Sequence, residues 1–275
     1  MAHTSIVSDL IYLYGVIPVE ELQEKDVPPL IGIDQKETSI ITFKELAAVI
    51  TPVNSLTYSQ QEIDIQLKDA EWLKQKAFHH HECISVLHDQ YTILPMSFCT
   101  IFQNENTLKH LLNEKYEEIL GKLSTFKNKQ EWNLKIYCDS EKSFTYVVNH
   151  NPAVTQLRES LAAMPKGKQF IMRKKLNQLI TSELEKEHIQ WWHEMIKVLK
   201  PYFSESKLRK NWGKEMSERN DEMIINCDFL IEKSKVELFL KEIQEIERRY
   251  QITGCTFQVT GPWPPYHFSK KEKET

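Results

Sequence analysis

Glycine is scarce in this chain, seven residues in 275, and no G-x-G-x-x-G or G-x-x-x-x-G-K-[ST] occurs. A glycine-rich phosphate cradle is therefore excluded. The five cysteines, Cys83, Cys99, Cys138, Cys227 and Cys255, form an odd set without a C-x-x-C pair. They suit neither a disulfide framework nor a zinc ribbon, and they read as reduced thiols of a cytosolic protein. An excess of one charge is missing too: 35 basic against 39 acidic side chains leave a net charge of −4. No global field draws the chain to nucleic acid or to an anionic membrane, and neither is expected as a partner. The apolar run from Leu10 to Pro18 is too short to span a bilayer and lacks the basic flank of an export signal. Catalytic signatures are absent as well, with no G-x-S-x-G and no H-E-x-x-H. Glu183, Glu185 and Glu187 belong to a mixed charge run of the kind that faces solvent. No catalytic residue and no cofactor is expected, and the chain reads as a non-enzyme.

What the chain does have is a stiff, ring-bearing end. In Thr260-Gly-Pro-Trp-Pro-Pro-Tyr-His-Phe268, Pro262, Pro264 and Pro265 fix φ and push the residues before them out of the helical region. Trp263, Tyr266 and Phe268 then offer large apolar area with few bonds to freeze. Such a peptide is suited to pack or to be gripped. The spacing of Pro262 and Pro265, with Lys270 and Lys271 nearby, also meets the minimal P-x-x-P ligand pattern. Because only Gly261 separates the segment from a strand, it is expected instead to fold back over the edge of the second sheet or the interface between domains.

In chain order, residues 1–9 are polar and expected to be loose. Leu10 to Ile17 is β-branched and aromatic and reads as a buried strand closed by Pro18. Leu30 to Ile33, Ser39 to Phe43 and Leu46 to Ile50 are shorter strand candidates. From Gln61 to Asp89 the period becomes helical, and Leu108 to Leu123 forms a second helix. Between them Tyr91 to Phe102 reads as a strand that Pro95 bends or places at an edge. Glu131 to Cys138 alternates like a half-buried strand and is expected to close the first sheet. Two helices on one face of an antiparallel sheet give an α+β first domain, residues 1–138.

Asp139 opens a second α+β domain, 139–268. Phe144 to Val148 has strand composition behind a helix-start sequence, and both readings stay open. Asn151-Pro152 starts a helix that Pro165 and Gly167 end. Lys168 to Leu199 then runs without Pro or Gly, roughly 48 Å if continuous. It serves as a packing buttress or as a partner-binding arm. Met223 to Ile231, Val236 to Arg249 and Gln251 to Val259 follow as strand, helix and strand, and residues 269–275 as a disordered tail.

Within the first helix, His79 and Cys83 are four apart, and His81 and His88 are seven apart. The pair lacks a third ligand at fixed spacing, so no metal is assigned.

Four stretches together resemble one family. They are Leu13-Tyr14-Gly15-Val16-Ile17-Pro18, Ile93-Leu94-Pro95-Met96-Ser97-Phe98-Cys99-Thr100-Ile101-Phe102, Glu131-Trp132-Asn133-Leu134-Lys135, and the terminal Gly-Pro-Trp-Pro-Pro-Tyr-His-Phe ending at Phe268. In this order they resemble the gas vesicle protein F/L family, accessory proteins of gas-filled, protein-walled flotation organelles. The run Phe78-His79-His80-His81-Glu82 and the Phe-Cys-Thr-Ile form of the central motif look most like L-type members from bacilli. Many relatives have Arg and Gly where this chain has Ser97 and Cys99. The resemblance implies a ferredoxin-like first domain and a cytoplasmic, vesicle-associated protein acting in assembly or as a minor wall component. It implies the major wall protein and other accessory proteins as partners. The candidate interaction or interdomain packing residues are Pro95, Phe98, Trp263, Pro264, Pro265, Tyr266 and Phe268. The alternatives are an adaptor unrelated to gas vesicles, using the long helix as its arm, and a metal- or ligand-binding sensor centred on His79, His81 and Cys83.

Overall fold

The computed structural model describes residues 9–23, 29–213, 215 and 219–270. The expected loose start at residues 1–8 and the last five residues of the expected tail lie outside the described residues. The fold is α+β, with two sheets and one long helix. By its contacts the chain forms two compact units, one of residues 1–131 with 262–275 and one of residues 132–261.

In the first unit, β1 (Asp9–Pro18) leads through one helical turn, α1 (Val19–Leu22), to the hairpin of β2 (Ser39–Phe43) and β3 (Leu46–Asn54). Lys44 at φ 53° supplies the left-handed backbone that this two-residue hairpin loop demands. β1 pairs antiparallel with β3, and β3 with β2. Three helices follow, α2 (Ser55–Tyr58), α3 (Gln60–Gln66) and α4 (Ala70–Gln90). The single helix expected over 61–89 is thus broken. Asp69 accepts from the backbone N–H groups of Glu71 and Trp72 and caps a new start.

Cys83, Ile84 and Leu87 of α4 share a core with Tyr12, Tyr14, Ala47 and Val49. Strand side chains alternate in direction, yet Leu13, Val16 and Ala48 are equally buried. The sheet is therefore covered on both faces, not on the one face expected. The second cover is α5 (Glu105–Glu114) with α6 (Tyr116–Phe126), which meet at Lys115 and pack against β2 and β1. The expected strand Tyr91 to Phe102 is reduced to β4 (Leu94–Pro95) and β5 (Ile101–Phe102), both antiparallel to β1. Between them the backbone turns, with Cys99 at φ 61°. Leu30 to Ile33 forms no strand, only an isolated bridge from Ile31 to Glu37.

β6 (Lys129–Cys138) belongs to the second sheet and not, as expected, to the first. Alternation fixes a strand's two faces but says nothing of its neighbours. The second unit runs from β6 through α7 (Ser140–His150), α8 (Pro152–Ala162) and α9 (Lys166–Leu199) to β7 (Phe203–Leu208), β8 (Glu222–Glu232), α10 (Val236–Tyr250) and β9 (Cys255–Trp263). The sheet order is β7-β8-β6-β9. This β-α-β-β-α-β succession is the ferredoxin-like one, and it lies in the second unit. The first unit instead places three strands before its helices, with β1 and β3 antiparallel neighbours.

Phe144 to Val148 is helical. Asp139 caps α7 by accepting from Glu141 and Lys142, and Val147 packs with Val154 and Ile180. The other end of α9 places Trp191, Trp192, Met195 and Leu199 in the core with Phe229 and Phe239. Pro201 stops α9 as expected, but β7 immediately after it has no counterpart in the sequence reading; its Ser-Glu-Ser-Lys carries no apolar alternation.

Candidate functional site: the cleft under the terminal segment

The terminal segment docks on the first unit. At Gly261 the backbone takes φ 147°, a value that L side chains rarely adopt, and the chain leaves β9 at Trp263. Pro264 and Pro265 are buried, and Tyr266–Ser269 closes into one helical turn with Phe268 buried beneath it. Its anchors are specific. Tyr266 Oη lies 3.0 Å from His81 Nδ1, and both the Trp263 and Tyr266 rings tilt against the His81 imidazole. His267 donates its backbone N–H and its Nδ1–H to the two oxygens of Glu131, at 2.9 Å and 2.6 Å. The Glu131 carboxylate is buried, so this charge is held by directed bonds. Lys122 Nζ of α6 donates to the carbonyls of Phe268 and Ser269. The P-x-x-P spacing is thus not a free ligand peptide.

Opposite this turn stands the loop after β4. Met96 N–H donates to the Tyr14 carbonyl and Leu13 N–H to the Thr100 carbonyl, so both ends of the loop are tied to β1. The Phe98 ring meets Trp72 and His80 of neighbouring helix α4. Between α4, this loop and the terminal turn opens a cleft of about 320 Å³. Its walls include His80, His81, Pro95, Phe98, Tyr266 and His267. Of the seven candidate residues, Pro95, Phe98 and Tyr266 line the cleft, and Trp263, 36% exposed, lies tilted against His81. Pro264, Pro265 and Phe268 are the buried footing that holds the turn.

Burial pushes the Cys83 and Cys99 thiols up to about 11 and His80 down to about 4. Tyr266 is pushed up by burial and then by the nearby Glu131 charge. The His79 and Cys83 pair is turned to the Ile31 carbonyl, at 3.1 Å from Nε2 and 3.7 Å from Sγ. His81 is bound to Tyr266 instead of joining them.

The family model for gas vesicle synthesis protein GvpL/GvpF matches residues 10–270. This chain belongs to that family. Among curated members it is 23% identical to gas vesicle protein F1 of Halobacterium salinarum, over 94% of this chain and 92% of that one. With gas vesicle protein L of Haloferax mediterranei it shares 19% identity, over 86% of this chain and 72% of that one. Relatives of both types, F and L, therefore match at comparable identity. Two crystal structures of the gas vesicle protein GvpF share the fold. That from an Anabaena species superposes with TM-score 0.72 at 18% identity, covering 97% of this chain and all of that one. That from Microcystis aeruginosa gives 0.65 at 16% identity, covering 96% of this chain and all of that one.

Reading the sequence missed the part that His81, Lys122, Glu131 and His267 play in anchoring the terminal turn. The alternation of its strand sets Glu131 with Asn133 and Lys135 on the face opposite Leu134, Ile136 and Cys138, so its burial is not read from the pattern. Nothing local marks Lys122, whose role is set by a chain segment 147 residues away. Among the described residues, no helix is long and apolar enough to cross a membrane.

Proposed function

We propose that this family member acts in gas vesicle assembly or as a minor wall-associated component, by holding an extended apolar segment of the major wall protein. It does so without catalysis, in the cytoplasm beside the growing vesicle. Wall subunits that present apolar surface to gas aggregate in water before assembly, and a temporary cover solves that problem. The observation that carries the reading is the convergence of Pro95, Phe98, Trp263 and Tyr266 from two distant stretches around one cleft. The raised thiols support the non-enzymatic part, since no ready thiolate is on hand.

Coexpression pull-down with the major wall protein tests this. Phe98→Ala and Trp263→Ala each lower the recovered wall protein by about fivefold, the loss of one aromatic contact at an interface. Recovery unchanged in both variants, with their melting curves intact, overturns the proposal.

A further inference from the structure

A second surface of different chemistry lies at the start of α9. Residues 166–175 read Lys-Gly-Lys-Gln-Phe-Ile-Met-Arg-Lys-Lys, five cations without one carboxylate, in a chain whose net charge is −4. All five are exposed. Among the described residues of α9, ion pairing is confined to Lys186 with Glu183, so Lys166, Lys168, Arg173, Lys174 and Lys175 are not neutralised there. In their midst Phe170 and Ile171 are 79% and 69% exposed. The opposite side of the helix is accounted for, because Leu176, Leu179 and Ile180 pack with Val147 and Val154.

Placement on the helix tells what fits. Lys174 is four residues from Phe170 and three from Ile171, so its stem lies over the seam between the two apolar side chains. The same outer face continues through Asn177, Gln178, Thr181 and Ser182, which are short and hydrogen-bonding, to Glu185. A bilayer wants an unbroken apolar stripe with cations at its margins. Here a cation stands inside the apolar patch and amides follow it, so immersion would strand Lys174 and the amides in hydrocarbon. A protein helix meets both needs at once, with apolar side chains on Phe170 and Ile171 and a carboxylate on Lys174.

We propose that the first half of α9 docks an acidic amphipathic helix of another protein, laid along Phe170, Ile171, Lys174 and Gln178. The rim cations Arg173 and Lys175 steer its approach and the apolar pair holds it. None of these residues lines the cleft, and this inference stands or falls without the wall-protein reading.

The test is fluorescence anisotropy of the purified full chain with a labelled synthetic amphipathic helix of leucine and glutamate. Its glutamine counterpart serves as the neutral control. Binding to the acidic peptide is expected to weaken about tenfold as salt is raised through the physiological range, and the neutral peptide to bind at least about tenfold more weakly. Lys174→Glu costs about tenfold and Phe170→Ser about fivefold, whereas Lys197→Glu near the other end of α9 has no effect. Both test positions are exposed, so thermal midpoints stay in place. No binding of the acidic peptide, equal binding of the neutral one, or equal loss with Lys197→Glu overturns the proposal. Flotation with phosphatidylglycerol vesicles without peptide binding overturns it in favour of a lipid surface.

Discussion

Tyr12 Oη and His80 Nδ1 lie 2.8 Å apart in the interior of the first unit. The bond is one link of a chain. Cys99 N–H donates to Tyr12 Oη at 3.2 Å, Tyr12 donates to Nδ1, and the opposite ring nitrogen of His80 donates to the Met96 carbonyl at 3.3 Å. Central strand, helix α4 and cleft loop are thus tied by a tyrosine that keeps its proton and an imidazole that stays neutral. Burial raises the Tyr12 hydroxyl and lowers His80, which suits both roles.

Stability should therefore fall as the medium is acidified. Burial holds His80 near 4 in the folded state against an ordinary value of 6.5. Between those values the unfolded chain binds more protons, so stability rises with pH across this window and is complete above 6.5. The His80 contribution is about 3 kcal/mol over the window. His80→Gln retains an acceptor and a donor without a titrating ring. Its denaturant midpoint, compared at neutral pH and near pH 4.5, should shift less than that of the parent. Identical shifts refute the assignment.

The terminal turn is expected to contribute folding energy as well as a surface. Phe268 is buried, and its truncation to alanine costs about 3 kcal/mol by urea unfolding. Tyr266→Phe removes only the hydroxyl that meets His81 and costs about 1 kcal/mol. Glu131→Gln retains an acceptor but loses the charge that receives both His267 donors, and costs about 2 kcal/mol. Equal stability of all three variants would mean that the turn is not fastened as described.

Much of this architecture was legible because it is local. β1, β3, β8, α9 and α10 follow from period and composition, and Asn151 is read directly as a helix cap. Pro95 marked the interrupted edge strand. Illegible features depend on distant partners. The sheet to which β6 belongs is chosen by strands that come later in the chain. The buried Asn133 of β6 shows this, since its amide donates to Asn226 at 2.9 Å and Asp228 at 2.7 Å, nearly a hundred positions on. The aromatic terminus announced that it would pack, but its seat on His81 and Glu131 lay in no local pattern.

Cys99 gives a sharper test of the loop. At φ 61° it occupies the left-handed region, which costs an L residue roughly 1–2 kcal/mol and glycine almost nothing. Cys99→Gly should hold or raise stability, with relief of backbone strain offsetting the lost thiol contact. Cys99→Val should lower stability by about 2 kcal/mol, because a β-branched residue tolerates this conformation worst. A guanidinium titration in which valine matches glycine would refute the backbone argument.

Two other glycines separate space from propensity. A Cβ added at Gly15 would stand 2.6 Å from Ile93 Cδ1 and 2.9 Å from the Leu94 carbonyl oxygen. The Ile93 side chain is free to turn about its own bonds, but the carbonyl belongs to β4, whose ladder to Gly15 and Val16 holds it in place. Gly15→Ala must then push β4 outward, at a cost of about 2 kcal/mol and with loosening of the cleft loop. Gly121 lies within α6 with nothing inside 4 Å of its added Cβ. There the backbone is already helical, and alanine spares the entropy that glycine loses on folding, so Gly121→Ala should stabilise by about 0.8 kcal/mol. Opposite signs in thermal midpoint are the expected result. Hydrogen exchange should in addition show faster opening at Met96, whose N–H bonds the Tyr14 carbonyl, in Gly15→Ala only. Destabilisation by both substitutions would mean that α6 tolerates alanine no better than β1, and the close approach of β4 would lose its explanatory role.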